Sequence, residues 1–128
     1  MTLKILKTID APNALPQIYS GKNLSLKKLA GFMGITHQEM ADIIAKDLRT
    51  VQRDTASTKV AQKLNPVIYI LKMLWELTGE DLIAVQRWLR EPLVEWRGLT
   101  PLSCLLEHKF DAVVQLVERI HFGDSAGY

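Results

Sequence analysis

A chain of 128 residues, 48% hydrophobic and 23% charged, is long enough for one domain or two small fused modules and apolar enough to bury a core, which excludes a disordered tail. Its net charge of +2 is too small to announce a nucleic-acid partner. The distribution says more: residues 1–60 hold nine Lys/Arg against five Asp/Glu, and residues 61–128 hold seven against nine, so a basic first half precedes an acidic second one.

The first twenty residues are the least legible. Leu3, Ile5 and Ile9 partly alternate with polar residues, Pro12 and Pro16 interrupt any helix, and Gly21-Lys22-Asn23 reads as a turn. No apolar run follows Lys4 and Lys7 before Asp10, so no signal peptide is expected. From Ser25 the pattern becomes helical. Leu26, Leu29, Ala30 and Met33 share a face that ends at Gly34; Thr36 with Glu39 forms a capping-box signature before Met40, Ile43 and Ile44. Asp47 suits the cap of a short helix from Leu48 to about Thr55. Residues 57–64 read as a short helix or linker, and Asn65-Pro66 as a cap with proline that launches the apolar helix Val67–Leu77.

That helix is apolar on more than one side, so it must be covered on most faces, either as a central core helix or as a dimer seam. Lys72 and Glu76 interrupt it, and it is too short to span a bilayer; the chain is expected to be cytoplasmic. Leu82, Val85, Trp88 and Leu89 then recur at helical spacing until Pro92; Thr100-Pro101 starts another helix. Cys104, the one cysteine, lies between leucines and reads as a small buried residue. Phe110, Val113, Val114, Val117 and Ile120 mark the face of a last helix, with Gly123 placed for a left-handed cap. The fold class is all-α.

Two patterns carry function. Across Gln38–Arg53, Ala41 is the small residue that two closely packed helices need, and Val51, ten positions on, points back into their angle. Ala45 through Arg53 resembles the "G-V-S-x-R-T-L-x-R" stretch of Xre-like regulators, with Ala45 at the usual glycine and Lys46 where a hydrophobic residue is expected. The resemblance implies a helix-turn-helix. With Val51 inward, Leu48, Arg49, Gln52 and Arg53 face outward. Arg reads guanine and Gln reads adenine bidentately, and Thr50 can anchor a phosphate, with Lys27, Lys28 and Lys46 adding nonspecific contacts.

The second pattern runs from about Trp75 to Tyr128: Trp88-Leu89 and Pro92, then Gly98-Leu99-Thr100-Pro101-Leu102 and Leu105-Leu106, then Arg119-Ile120 and Gly123. It resembles the C-terminal toxin-binding domain of Xre/MbcA/ParS-type antitoxins. Two departures stand out: Trp96-Arg97-Gly98 replaces a doubled glycine, and His108-Lys109-Phe110 lacks the glycine common before the last helix.

The resemblance implies an N-terminal arm (1–21), a helix-turn-helix module (22–56), a linker or short helix (57–65) and a dimerisation and toxin-binding domain (66–128). It implies an antitoxin that represses its own operon at an operator DNA and neutralises a cognate RES-type toxin, an enzyme that depletes NAD; a homodimer is expected because one short recognition helix reads too few bases. The blocking element would be the helix Phe110–Phe122 and the tail, through Arg119, His121, Phe122, Gly123, Asp124, Ser125 and Tyr128. The tail's carboxylates would mimic substrate charge in the toxin cleft. His121, near a helix end, also reads as a dipole-favoured capping residue, and Trp96 as an interface anchor or a core residue.

Enzyme readings find nothing to stand on. His37, His108 and His121 have no i,i+4 partner, and the chain has no Gly-rich phosphate loop, Cys/His cluster or nucleophile elbow. No catalysis, metal or cofactor is expected. The competing reading is a transcription regulator or partition-type adaptor with no toxin partner, its C-terminal domain serving dimerisation or another protein.

Overall fold

Ser25, Thr36, Asp47, Ser57, Asp81 and Thr100 each cap the start of a helix in the computed structural model, which describes residues 15–54 and 56–123. The reason is shared. Each side-chain oxygen accepts a hydrogen bond from the backbone N–H three residues on, a donor with no partner inside the helix. A 3₁₀ turn at Pro16–Ile18 leads into a two-stranded antiparallel hairpin, β1 (Tyr19–Ser20) and β2 (Asn23–Leu24), closed by Gly21-Lys22. Everything after it is helical: α1 (Leu26–Met33), α2 (His37–Ile44), α3 (Leu48–Arg53), α4 (Thr58–Lys63), α5 (Asn65–Leu77), α6 (Leu82–Leu89), α7 (Pro101–Leu106) and α8 (Phe110–His121). The described residues form an all-α fold. None of their helices is long and apolar enough to cross a membrane. The predicted alternation at Leu3–Ile9 and the tail residues Asp124, Ser125 and Tyr128 lie outside the described residues.

The start of α5 differs from expectation. Asn65 does not cap it; Asn65 is already its first helical residue, and Leu64 occupies the cap position with right-handed helical backbone. The Leu64 N–H donates to Val60 O at 3.0 Å and the Ile68 N–H to Leu64 O at 2.9 Å. The chain thus passes from α4 to α5 with little break, and an extended cap residue has no place there. Pro66 falls in the first turn, where its missing N–H costs nothing.

Helix α5 is the centre of the C-terminal half, as its all-round apolarity required. Val67, Ile70, Leu71, Met73 and Leu74 are buried. The principal cover is α8 of the same chain, which buries Val113, Leu116 and Val117. This removes the physical reason for placing a dimer seam along the middle of α5. Two polar ties reinforce the pairing: Tyr69 Oη donates to Glu118 Oε2 at 2.7 Å, and His121 Nε2 lies 2.7 Å from Glu76 Oε1. Burial, then the Glu118 carboxylate, pushes the Tyr69 phenol up to about 12.

The two halves share one buried cluster, running from Leu15 and Ile18 through α1–α3 to α5, α7 and α8. Phe32 of α1 meets Trp75 of α5 with ring centroids 5.5 Å apart, and Trp75, Trp88 and Trp96 are all partly buried against the core. Helix α6 also finishes the end of α1. Gln86 Nε2 donates to the carbonyls of Gly31 (3.2 Å) and Phe32 (3.1 Å), and Arg90 donates to Gly34 O (3.2 Å) while pairing with Glu39 at 3.1 Å. Glycine is favoured at position 34 on two counts. Its φ is +71°, and a Cβ there would meet the Gln86 side chain at 3.0 Å.

Candidate functional site

Helices α2 and α3 are joined by Ala45, Lys46 and Asp47. Ala45 has left-handed backbone (φ 58°), and the Lys46 and Ala45 amides close back on Ala41 O and Asp42 O at 3.0 and 3.2 Å. This is the Schellman ending, normally completed by glycine. Ala41 and Val51 are fully buried at the contact between the two helices. Both are residues that the sequence pattern singled out.

The outward face of α3 carries Arg49, Gln52 and Arg53, all exposed. Leu48 and Thr50 are half-buried. The Thr50 hydroxyl donates to Asp47 Oδ1 at 3.1 Å, alongside the Thr50 N–H at 3.2 Å, so the donor expected for a phosphate serves the cap instead. Lys46 is exposed, which fits its charge; the hydrophobic residue expected there has no counterpart. Of the flanking lysines, Lys27 is exposed, whereas Lys28 Nζ donates to Tyr19 O at 3.0 Å.

An aspartate that the sequence reading passed over holds α3 in place. Asp54 ends the helix with φ 58°, and its carboxylate accepts the buried Ser25 hydroxyl at 2.9–3.0 Å and the Lys27 N–H at 3.1 Å. One side chain thus joins the C-terminus of α3 to the N-terminus of α1. Residues 25 and 54 each look like ordinary cap or turn residues in sequence, and nothing local links them.

At the other end of the molecule a different surface appears. Every exposed large hydrophobic among the described residues lies at or after position 77: Leu77, Leu82, Ile83 (65% exposed), Val94 (93%), Leu99, Ile120 and Phe122 (54%). The His121–Glu76 contact brings the ends of α5 and α8 together, so Leu77, Ile120 and Phe122 flank one tie. Of the predicted toxin contacts, Arg119 and Phe122 are exposed, and Gly123 has the expected left-handed backbone (φ 66°). His121 is different. Its side chain is only 10% exposed, edge-on to Phe122 and held by Glu76, so it braces the helix end instead of facing outward. Leu77, Leu82 and Ile83 were missed because each sits in a helical pattern that reads as core.

The two departures from the resembled pattern have a common structure. Arg97 (φ 56°) and His108 (φ 63°) both occupy left-handed backbone, the conformation that a glycine takes without cost. His108 is steadied by Nε2 lying 2.8 Å from Asp42 O, which ties the α7–α8 turn to α2. Cys104 is buried, and that burial pushes its thiol up, as for a core residue.

No curated protein and no solved structure gives a significant match to this chain. Residues 73–123, from within α5 to the end of α8, match the family model of the antitoxin Xre/MbcA/ParS C-terminal toxin-binding domain.

Proposed function

We propose that this protein is the antitoxin of a toxin–antitoxin pair, neutralising its toxin through the C-terminal half and binding operator DNA through α3. The observation that carries the proposal is a coincidence of two boundaries. The segment resembling a toxin-binding domain, 73–123, is also the segment that holds all the exposed large hydrophobics among the described residues. Exposed apolar side chains that gather in one patch, as Leu77, Ile120 and Phe122 do around the His121–Glu76 contact, mark a protein-docking surface.

Leu77, Ile120 and Phe122 form the centre of that surface, with Arg119 its polar rim and Gly123 at its edge. The partner is a RES-type toxin, an NAD-depleting enzyme whose cleft, built for anionic phosphates, attracts the carboxylates of the tail. Operator binding uses Arg49, Gln52 and Arg53 as base readers and Lys46 toward the backbone, with Leu48 and Thr50 supporting the helix start. The α2–α3 pair then acts as a helix-turn-helix, and a homodimer supplies paired half-sites because one short helix reads too few bases. Both roles belong to the cytoplasm.

The test is co-expression with the product of the neighbouring gene. Wild type is expected to rescue growth and to co-purify with that product. The double variant Ile120→Asp/Phe122→Asp is expected to keep its helical content and its DNA binding while losing rescue. Full rescue by that variant would move the docking surface elsewhere. Operator binding without any toxin neutralisation by wild type would select the plain regulator.

A further inference from the structure

Helix α4 lies beside the α2–α3 turn and was read from sequence only as a short helix or linker. Its Lys59 and Lys63 are four residues apart and so share one edge of the helix. With Lys46 of the turn they line an open recess of about 490 Å³, whose other lining residues are Ile44, Ala45, Val60 and Gln62.

Three lysines thus line the space with Ile44, Ala45 and Val60, and no carboxylate lines it among the described residues. Like charges at this spacing repel by a few tenths of a kcal/mol. Some other cations are answered within the chain: Arg90 pairs with Glu39, Lys109 with Glu107, and Lys28 donates to a carbonyl. The side chains of Lys46, Lys59 and Lys63 have no hydrogen bond or ion pair among the described residues.

The position of the recess identifies the anion. Lys46 directly precedes Asp47, the cap of α3, so the recess opens beside the N-terminus of α3. That end of a recognition helix points into the major groove, which places a groove-flanking strand beside it. We infer that Lys46, Lys59 and Lys63 form a seat for the phosphodiester backbone of duplex DNA, an inference that rests on the DNA-binding role proposed for α3. Ammonium groups contact phosphate oxygens as point charges without reading sequence. The seat therefore contributes affinity and salt dependence, and α3 contributes discrimination.

The test compares wild type, Lys59→Gln/Lys63→Gln and Lys59→Arg/Lys63→Arg on two duplexes of equal length, the promoter of its own gene and a random sequence, across a salt series. The glutamine variant is expected to lose about tenfold in affinity at about 0.1 M salt. Its slope of log K against log salt should be shallower by about 1–2, since each phosphate contact contributes about 0.9. The loss should be equal on both duplexes, and the arginine variant should retain wild-type behaviour. An unchanged slope in the glutamine variant, or a loss on the promoter alone, overturns the phosphate seat while leaving α3 as a reader. A loss of toxin binding with DNA affinity intact also overturns it, in favour of a protein contact. Wild-type protein that binds neither duplex overturns both the seat and the DNA-binding role.

Discussion

Helix α3 turns Val51 inward and sets Arg49, Gln52 and Arg53 in water, whereas α8, twice its length, buries Val113, Leu116 and Val117 yet leaves Ile120 and Phe122 uncovered. The same division holds for the halves around them. Among the described residues before position 77, no large hydrophobic side chain is exposed. The N-terminal half closes its core completely and shows charge; the C-terminal half closes its core and keeps apolar surface in excess. A charged face attracts a polyanion without excluding water, while an uncovered apolar face gains only when another protein dries it. The two halves thus differ in the kind of surface they leave to solvent.

The largest effect is expected where the N-terminal half depends on a single polar side chain. Asp54→Ala should destabilise the protein by about 2 kcal/mol, since it removes the acceptor of the buried Ser25 hydroxyl and a cap of α1. Thermal melting measures it, and a shift as small as that of an exposed-surface change would show that the N-terminal half is held by its core alone.

In the C-terminal half the matching tie is His121 to Glu76. His121→Ala is expected to cost about 1 kcal/mol and to loosen the end of α8, read as faster amide exchange over residues 116–121. Exchange unchanged there would make the tie dispensable, and the apolar contact of α5 with α8 sufficient.

Backbone strain differs less between the halves. Ala45→Gly and Arg97→Gly should each stabilise by about 0.5–1 kcal/mol, the left-handed penalty exceeding the extra freedom that glycine gains in the unfolded chain. Denaturant midpoints check this. A destabilised Ala45→Gly would mean that its methyl group contributes packing outweighing the strain.

The remaining effect is a pH dependence, absent at neutral pH and confined to alkaline pH. The Tyr69 phenol is raised above its ordinary value of 10.0 to about 12, so the folded state holds that proton more tightly than the unfolded state. Its contribution is complete below pH 10 and is lost as pH rises toward 12. The stability difference between wild type and Tyr69→Phe should shrink across that window, and a constant difference would count against the Tyr69–Glu118 hydrogen bond.

Local signals account for most of what the sequence revealed. Caps such as Thr36 with Glu39 and Thr100 with Pro101 act within four residues, so the starts of their helices were legible. The pairing of Ala41 with Val51 was legible because a short turn keeps both in one window. Asp54 with Ser25, Gln86 with Gly31 and His121 with Glu76 were not, since they join residues 29, 55 and 45 positions apart and no periodicity encodes such a meeting. Asn65 failed as a cap for a different reason: the preceding helix had not ended. The lysines of α4 did carry a signal, an i,i+4 repeat, but it gains meaning only when the fold sets Lys46 opposite.

The side chains of Gln86 and Arg90 reaching the carbonyl end of α1 bear on how such a gene can change over generations. Recombination that joined the first half of one gene to the second half of a divergent one would bring together an α1 terminus and an α6 that had never been matched. A residue larger than glycine at 34 would strike Gln86, and a shorter side chain at 86 or 90 would leave the carbonyls to water. The two halves are therefore coupled at this contact, and positions 31–34 are expected to drift in step with positions 86–90.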